Sequence, residues 1–230
     1  MLSIQKIKSV SIWIFLVPFI STNTCLILIT QFQWIFPNQE HVIWNTFPYF
    51  DGGASISRVT RYYPNWLIFK PSMFLTSFLL IKYWINNKEI IKHFNQNHKH
   101  IKKIVFFGIA SAVALTIHSI FLGIKFDNDL YKLFRRVIML SFIIFEITAQ
   151  TYLVATFYSF KDELNRYINS KYLKMKLILV SILIVVAIIS APFLVLPGNK
   201  LLKHALEWDY FLGIIIFYLL TFLMWNKKTN

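Results

Sequence analysis

VIMLSFIIFEITAQTYLVATFYSF, residues 137–160, is a run of twenty-four residues with one charged group, Glu146. A helix that crosses roughly 30 Å of hydrocarbon at about 1.5 Å per residue needs about 20 mainly apolar residues, and this segment exceeds that. Residues 10–30, 65–85, 103–124, 176–196 and 208–225 qualify by the same measure. Composition agrees with them. The 230-residue chain is 57% hydrophobic and 15% charged, where soluble domains run about 45–50% apolar and about 25% charged. So few charges cannot coat a soluble globule, and so much apolar material excludes a disordered chain. The expected fold is all-α: one membrane domain over residues 1–230, with six transmembrane helices and a long, partly structured outer loop at about 31–64.

Two of these spans are interrupted. The first holds Pro18 and Ser21-Thr22-Asn23-Thr24, the second Lys70-Pro71. Bilayer helices tolerate such features where neighbours satisfy the freed backbone groups, and a lysine near a span end reaches the interface along its own stem. The first run is too long for a cleaved signal peptide and lacks a small-x-small site, so it is expected to remain a span with Asn23 turned toward other helices. Orientation follows lysine and arginine. With the N-terminus placed in the cytoplasm, fifteen of the 24 basic residues fall inside, Lys176, Lys227 and Lys228 among them, and nine outside, among them Arg58, Arg61, Lys125 and Arg135. The acids lean the other way, with Glu40, Asp51, Asp127, Asp129, Glu207 and Asp209 outside. Both termini are therefore expected in the cytoplasm. Trp13, Trp66, Trp84, Trp208 and Trp225 fall near span ends, where indole rings serve as interfacial anchors. A pI near 9.8 does not signal a nucleic-acid partner, because the basic charge is divided among short inner loops instead of being concentrated in a domain with base-reading residues. Cys25, the single cysteine, has no partner for an internal disulfide and reads as a small packing residue.

The long loop runs into the second span as FPYFDGGASISRVTRYYPNWLIFKP, residues 47–71. Asp51-Gly52-Gly53 is a turn signal, since glycine supplies positive φ and aspartate bonds the backbone just ahead of it. Ser55 and Ser57 are candidates to cap a short helical turn bearing Arg58 and Arg61. Two glycine amides and two arginines can receive a phosphate or another anionic headgroup; equally, the segment can be a folded lid with Arg58 or Arg61 paired to Asp51. The pattern Pro48-Tyr49-x-x-x-Gly53 resembles the Frag/DRAM/Sfk family, which includes damage-regulated autophagy modulators and GPI-anchor lipid-remodelling proteins. Glu207-Trp208 at the start of the last span is similar to that family's Glu-Trp or Glu-Tyr entry, while Phe50-Asp51 stands where the family usually has Ile-Ser. The resemblance implies six spans, cytoplasmic termini, a long first outer loop and a role in membrane-lipid biology.

Ionisable groups inside spans are candidates for function by default, and Glu146 is one, with Gln150 a turn further on the same face. His118 lies in the preceding span, roughly 9 Å below the outer surface against roughly 14 Å for Glu146 by helical rise. A Glu146–His118 pair would suit a proton relay or a general base with its orienting partner; it would also suit a helix-packing bond with the carboxyl group neutral. Glu207 and Asp209, near His204, can latch Arg58 or Arg61 over the bundle, bind a cation or act on a headgroup. His93, His98 and His100 sit among lysines in the inner loop, where neighbouring ammonium groups repel a dication; attraction to anionic inner-leaflet lipids suits that loop better. No phosphate-binding loop, dinucleotide fingerprint, His-Glu-x-x-His or Gly-x-Ser-x-Gly occurs, and no cofactor or metal is expected. The leading expectation is a non-catalytic lipid-binding or membrane-organising protein that captures a lipid between spans and holds its headgroup with Asp51, Gly52, Gly53, Arg58 and Arg61. A lipid-remodelling hydrolase or acyltransferase using Glu146, His118 and Glu207, and a proton-coupled carrier titrating Glu146, are the alternatives.

Overall fold

The computed structural model describes residues 2–124, 128–195 and 198–225; Lys125, Asp127, Leu196, Lys227 and Lys228 lie outside the described residues. Helix α1 (Leu2–Gln31) runs unbroken through Pro18 into a connection with 3-10 turns at Gln33–Ile35 and Gln39–His41. Two short helices follow, α2 (Pro48–Asp51) and α3 (Ile56–Thr60). The chain then continues through α4 (Asn65–Phe94), α5 (Ile101–Phe121), α6 (Asp129–Ser159), the single turn α7 (Lys161–Leu164), α8 (Ser170–Val195) and α9 (Lys200–Met224). Among the described residues there is no strand, only an isolated antiparallel bridge between Ile168 and Trp225.

The six long helices form a closed ring. Each packs on its neighbour in chain order, α1 on α4, α4 on α5, α5 on α6, α6 on α8 and α8 on α9, and α9 returns to α1. Close approach needs small residues at the contact: Gly108 of α5 lets the buried Trp84 of α4 lie on its backbone, where a Cβ would run into the indole ring. At one end of the ring the Lys8 ammonium donates to the Trp225 carbonyl at 2.8 Å, the position that favours a cation at a helix C-terminus. At the other end lies the connection between α1 and α4.

Five of the six long helices, α1, α5, α6, α8 and α9, are long and apolar enough to cross a membrane. The six spans expected from the sequence are not all met by that measure, because Lys70, Pro71 and Lys82 break the apolar run of α4. The Lys70 ammonium finds a partner, the Ile120 carbonyl near the C-terminus of α5 at 3.3 Å. Four helices begin six to eight residues before their expected starts, α1 at Leu2 instead of 10, α6 at Asp129 instead of 137, α8 at Ser170 instead of 176 and α9 at Lys200 instead of 208. Their first turns are polar, so apolar content alone does not find them.

Three tryptophans and one lysine also correct the expectation. Trp84, Trp208 and Trp225 are buried instead of exposed as anchors, whereas Trp13 and Trp66 are exposed. Lys176, counted as an inner-loop charge, is fully buried on α8, with its ammonium 3.9 Å from the Phe217 ring centroid and 2.8 Å from the Thr221 hydroxyl.

Candidate functional site

The α1–α4 connection is fastened at many points, and its local folding starts from Asp51. That carboxylate accepts from the Phe47 amide, the Gly53 amide and the Thr46 hydroxyl, each at 2.7 Å. Slight burial pushes the Asp51 carboxyl up, but the bonds from Gly53, Thr46 and Phe47 together hold it below the ordinary aspartate value. A carboxyl depressed in the folded state adds stability above its unfolded value of about 3.9, and that stability is lost as pH falls through the lower folded value. Exchange protection of the Gly53 amide is therefore expected to hold from about pH 7 to about pH 4 and to fall in stronger acid, with Asp51→Asn weakening it at every pH. Protection that does not differ between Asp51→Asn and wild type would remove Asp51 as the organiser of the turn.

The Gly52 amide bonds the Pro48 carbonyl at 3.2 Å, and the Gly53 amide is taken by Asp51. Both glycine amides are thus used within the turn, and Asp51 bonds neither Arg58 nor Arg61. The turn instead docks on α9. Gly52, at φ +62, presses against the Leu201 backbone, and its carbonyl meets His204 Nδ1 at 2.9 Å. The Trp208 indole N–H donates to the Ala54 carbonyl at 2.8 Å, and the Tyr49 ring lies 4.8 Å from the Trp208 ring. The Tyr49 hydroxyl reaches the Asn23 side chain at 3.2 Å, so Asn23 faces the lid.

Ser55 caps α3, accepting from the Arg58 amide at 3.1 Å, which sets the rotation of the short helix that follows. The Glu207 carboxylate of α9 faces the Ile56 and Ser57 amides at this helix start and the charge of Arg61. The Ser57 hydroxyl oxygen lies 3.2 Å from a guanidinium nitrogen of Arg61 and 3.0 Å from one of Arg135, which reaches across from the polar first turns of α6. Burial and the positive charges of Arg135 and Arg58 pull the Arg61 guanidinium below its ordinary value, against Tyr62 and Glu207. The Arg135 Nε is sealed from solvent and bonds nothing among the described residues.

Beneath this cluster lies a cavity of about 60 Å³ between α3, α4, α5, α6 and α9, about twice the share of liquid volume one water takes. Its walls are Ile56, Phe69, Met73, Leu115, Phe142 and other apolar side chains, with His118 and Glu207 as its polar groups. His118 Nδ1 is buried and unpartnered among the described residues. The half-buried Met139 and Phe211 also border the cavity, so it is not sealed. An apolar hollow with polar groups at one side suits an amphipathic ligand.

Glu146 is elsewhere. It is fully buried and accepts from the Ser111 hydroxyl at 2.5 Å, from the Gln150 amide at 3.1 Å and from the Tyr218 hydroxyl. The expected Glu146–His118 bond is not formed, because Ser111 lies nearly two turns from His118 along α5 and takes that place. Sequence reasoning brought Arg61, His118 and Glu207 forward as candidates and missed Arg135 and Ser111. Arg135 was counted only as an outer charge. The signal that could have found it is the pair Arg135-Arg136, which stands directly ahead of the apolar run that opens at Val137.

The family model described as the Frag1/DRAM/Sfk1/Cwh43P N-terminal domain matches residues 7–225. No curated protein and no solved structure matches the chain. The chain belongs to the Frag1/DRAM/Sfk1/Cwh43P N-terminal domain family, and with five helices long and apolar enough to span, it is a multi-pass integral membrane protein.

Proposed function

We propose that this family member is a six-pass membrane protein that binds a lipid between its helices and does no chemistry on it. In this reading α4 completes the six spans, both termini are cytoplasmic and the α1–α4 connection is an outer lid. The excess of lysine and arginine on the opposite side supports that orientation. One observation carries the function: an unsealed apolar cavity lies directly beneath a cluster of charged side chains that belong to the lid and to the polar first turns of α6 and α9. A cavity this small takes only the upper methylenes of a chain, and the rest runs along the helices in the bilayer. The headgroup contact shifts from the Asp51-Gly52-Gly53 turn, whose amides are occupied, to Arg61 and its neighbours; Arg58 remains at the edge of the cluster.

Native mass spectrometry of protein purified in a mild detergent tests this. Wild type is expected to retain one lipid class in stoichiometric amount, and Met139→Trp, which fills the cavity from α6, is expected to lose at least nine-tenths of it, roughly the tenfold change that about 1.4 kcal/mol produces. No retained lipid in wild type, or the same retention in Met139→Trp, would end the reading. A proton-coupled carrier is the second reading, favoured by the fully buried Glu146 and Lys176; it requires pH-dependent solute uptake in liposomes that disappears in Glu146→Gln.

A further inference from the structure

Two guanidinium groups converge on one neutral oxygen. Arg61 and Arg135 come from different elements, and each places a nitrogen within 3.2 Å of the Ser57 hydroxyl. A hydroxyl oxygen cannot neutralise either of them. The acid at this cluster, Glu207, is turned to the α3 amides and to Arg61, and one carboxyl group cannot neutralise both guanidinium groups. The other described groups around the cluster do not supply a second negative charge. Arg58 adds a positive one, His204 is engaged with the Gly52 carbonyl, and Asp209 is exposed on α9. Among the described residues Arg135 Nε has no acceptor, and on the cavity wall His118 Nδ1 has no partner.

We propose that Arg61, Arg135 and Ser57 form a site for an anionic oxyacid headgroup carried on an acyl chain, a lipid phosphodiester or a fatty carboxylate, with the first methylenes in the cavity below. Guanidinium suits such groups because its planar fork donates two parallel bonds to two oxygens. Arg61 and Arg135, with Arg58 beside them, outnumber the one acid at the cluster, so the ligand that fits is an anion. The unused Arg135 Nε provides the second donor of a bidentate contact, and the Ser57 hydroxyl, which the ligand oxygens would displace from the guanidinium groups, becomes free to donate to the same anion. This rests on the lipid reading above and names the ligand class it takes.

The test offers delipidated protein an equimolar mixture of phosphatidylglycerol, phosphatidylcholine and oleate and reads the bound masses. Wild type is expected to enrich phosphatidylglycerol or oleate over phosphatidylcholine at least tenfold, and which of the two wins separates a phosphodiester from a carboxylate ligand. Arg135→Gln is expected to bring that ratio to within about twofold of the mixture while total bound lipid persists, and Arg135→Lys to restore part of it. Equal binding of phosphatidylcholine by wild type, or an unchanged ratio in Arg135→Gln, overturns the anion site and leaves the cavity reading intact. Loss of all lipid binding by wild type, or retention unaffected by Met139→Trp, removes the lipid reading itself. A melting curve of Arg135→Gln in detergent accompanies the measurement: a folded variant with the wild-type ratio counts against the site, and a variant that does not fold passes the test to Arg61→Gln.

Discussion

Gly52→Ala is expected to undock the lid, with a loss of stability on the order of 4 kcal/mol. Two costs coincide at this position. Its φ of +62 lies in the left-handed region, where a side chain costs about 1–2 kcal/mol. An added Cβ would also overlap the Leu201 backbone at the start of α9, and backbone cannot step aside as the tip of a side chain can. Relief requires the turn to lift away from α9, which takes the His204–Gly52 contact, the Trp208–Ala54 bond and the Tyr49–Trp208 ring contact with it. Gly198→Ala is the matched control. It has φ +92 but nothing within 4 Å of an added Cβ, so it carries the conformational cost alone, about 1–2 kcal/mol. Protease protection of residues 32–64 and thermal melting in detergent read both variants. If Gly52→Ala melts with Gly198→Ala and its lid stays protected, the contact with Leu201 does not hold the lid.

The same contacts show how much of the architecture was written in the sequence. Pro48-Tyr49-x-x-x-Gly53 and Glu207-Trp208 lie near opposite ends of the chain, and each on its own is a short pattern. In the folded protein they meet, with Tyr49 on Trp208 and the Gly52 turn one helical turn or two from Glu207. Long helices were legible because a bilayer imposes about 20 apolar residues on each. The site was less so, because it is assembled from the polar ends of those helices. Arg135 stands ahead of the apolar run in α6, and Glu207 ends the polar opening of α9. An apolar count stops short of both. Burial depends on the face of a helix and on what covers its end as well as on position along the membrane normal: Trp84, Trp208 and Trp225 lie near span ends yet are buried, Trp208 beneath the lid. Pairing across helices depends on rotation about each axis as well as depth, which is why depth alone joined Glu146 to His118 while the fold joins it to Ser111, Gln150 and Tyr218.

Glu146→Leu is expected to cost about 1–3 kcal/mol, the cost of one stranded buried donor, because Tyr218 loses its acceptor while Ser111 and Gln150 keep the Gly108 and Ile214 carbonyls. Glu146→Gln keeps the shape and one acceptor oxygen, and is expected to cost less than half as much. The informative measurement adds Lys176. Its ammonium bonds the Thr221 hydroxyl, which also lies 3.3 Å from the Tyr83 hydroxyl. With the Thr221 proton on the Phe217 carbonyl at 2.9 Å, Thr221 accepts from both. The Tyr83 ring packs edge-on against Tyr218 at 4.9 Å, and Tyr218 donates to Glu146. An acid and a base, both buried, thus stand at the two ends of a row of side chains through four helices, hydrogen-bonded except at the Tyr83–Tyr218 ring contact. An uncompensated charge there is far more costly than a matched pair, so the row is stable when both ends are charged or both are neutral. With both ends charged, Lys176→Met alone and Glu146→Gln alone each strand the opposite charge, whereas the double variant removes both. The double variant is expected to be more stable than the sum of the single losses implies by at least about 1 kcal/mol, read from thermal melting in detergent. Additivity within about 0.5 kcal/mol would mean that the two ends do not form a charged pair, and would also remove the ground for a shared proton in the carrier reading.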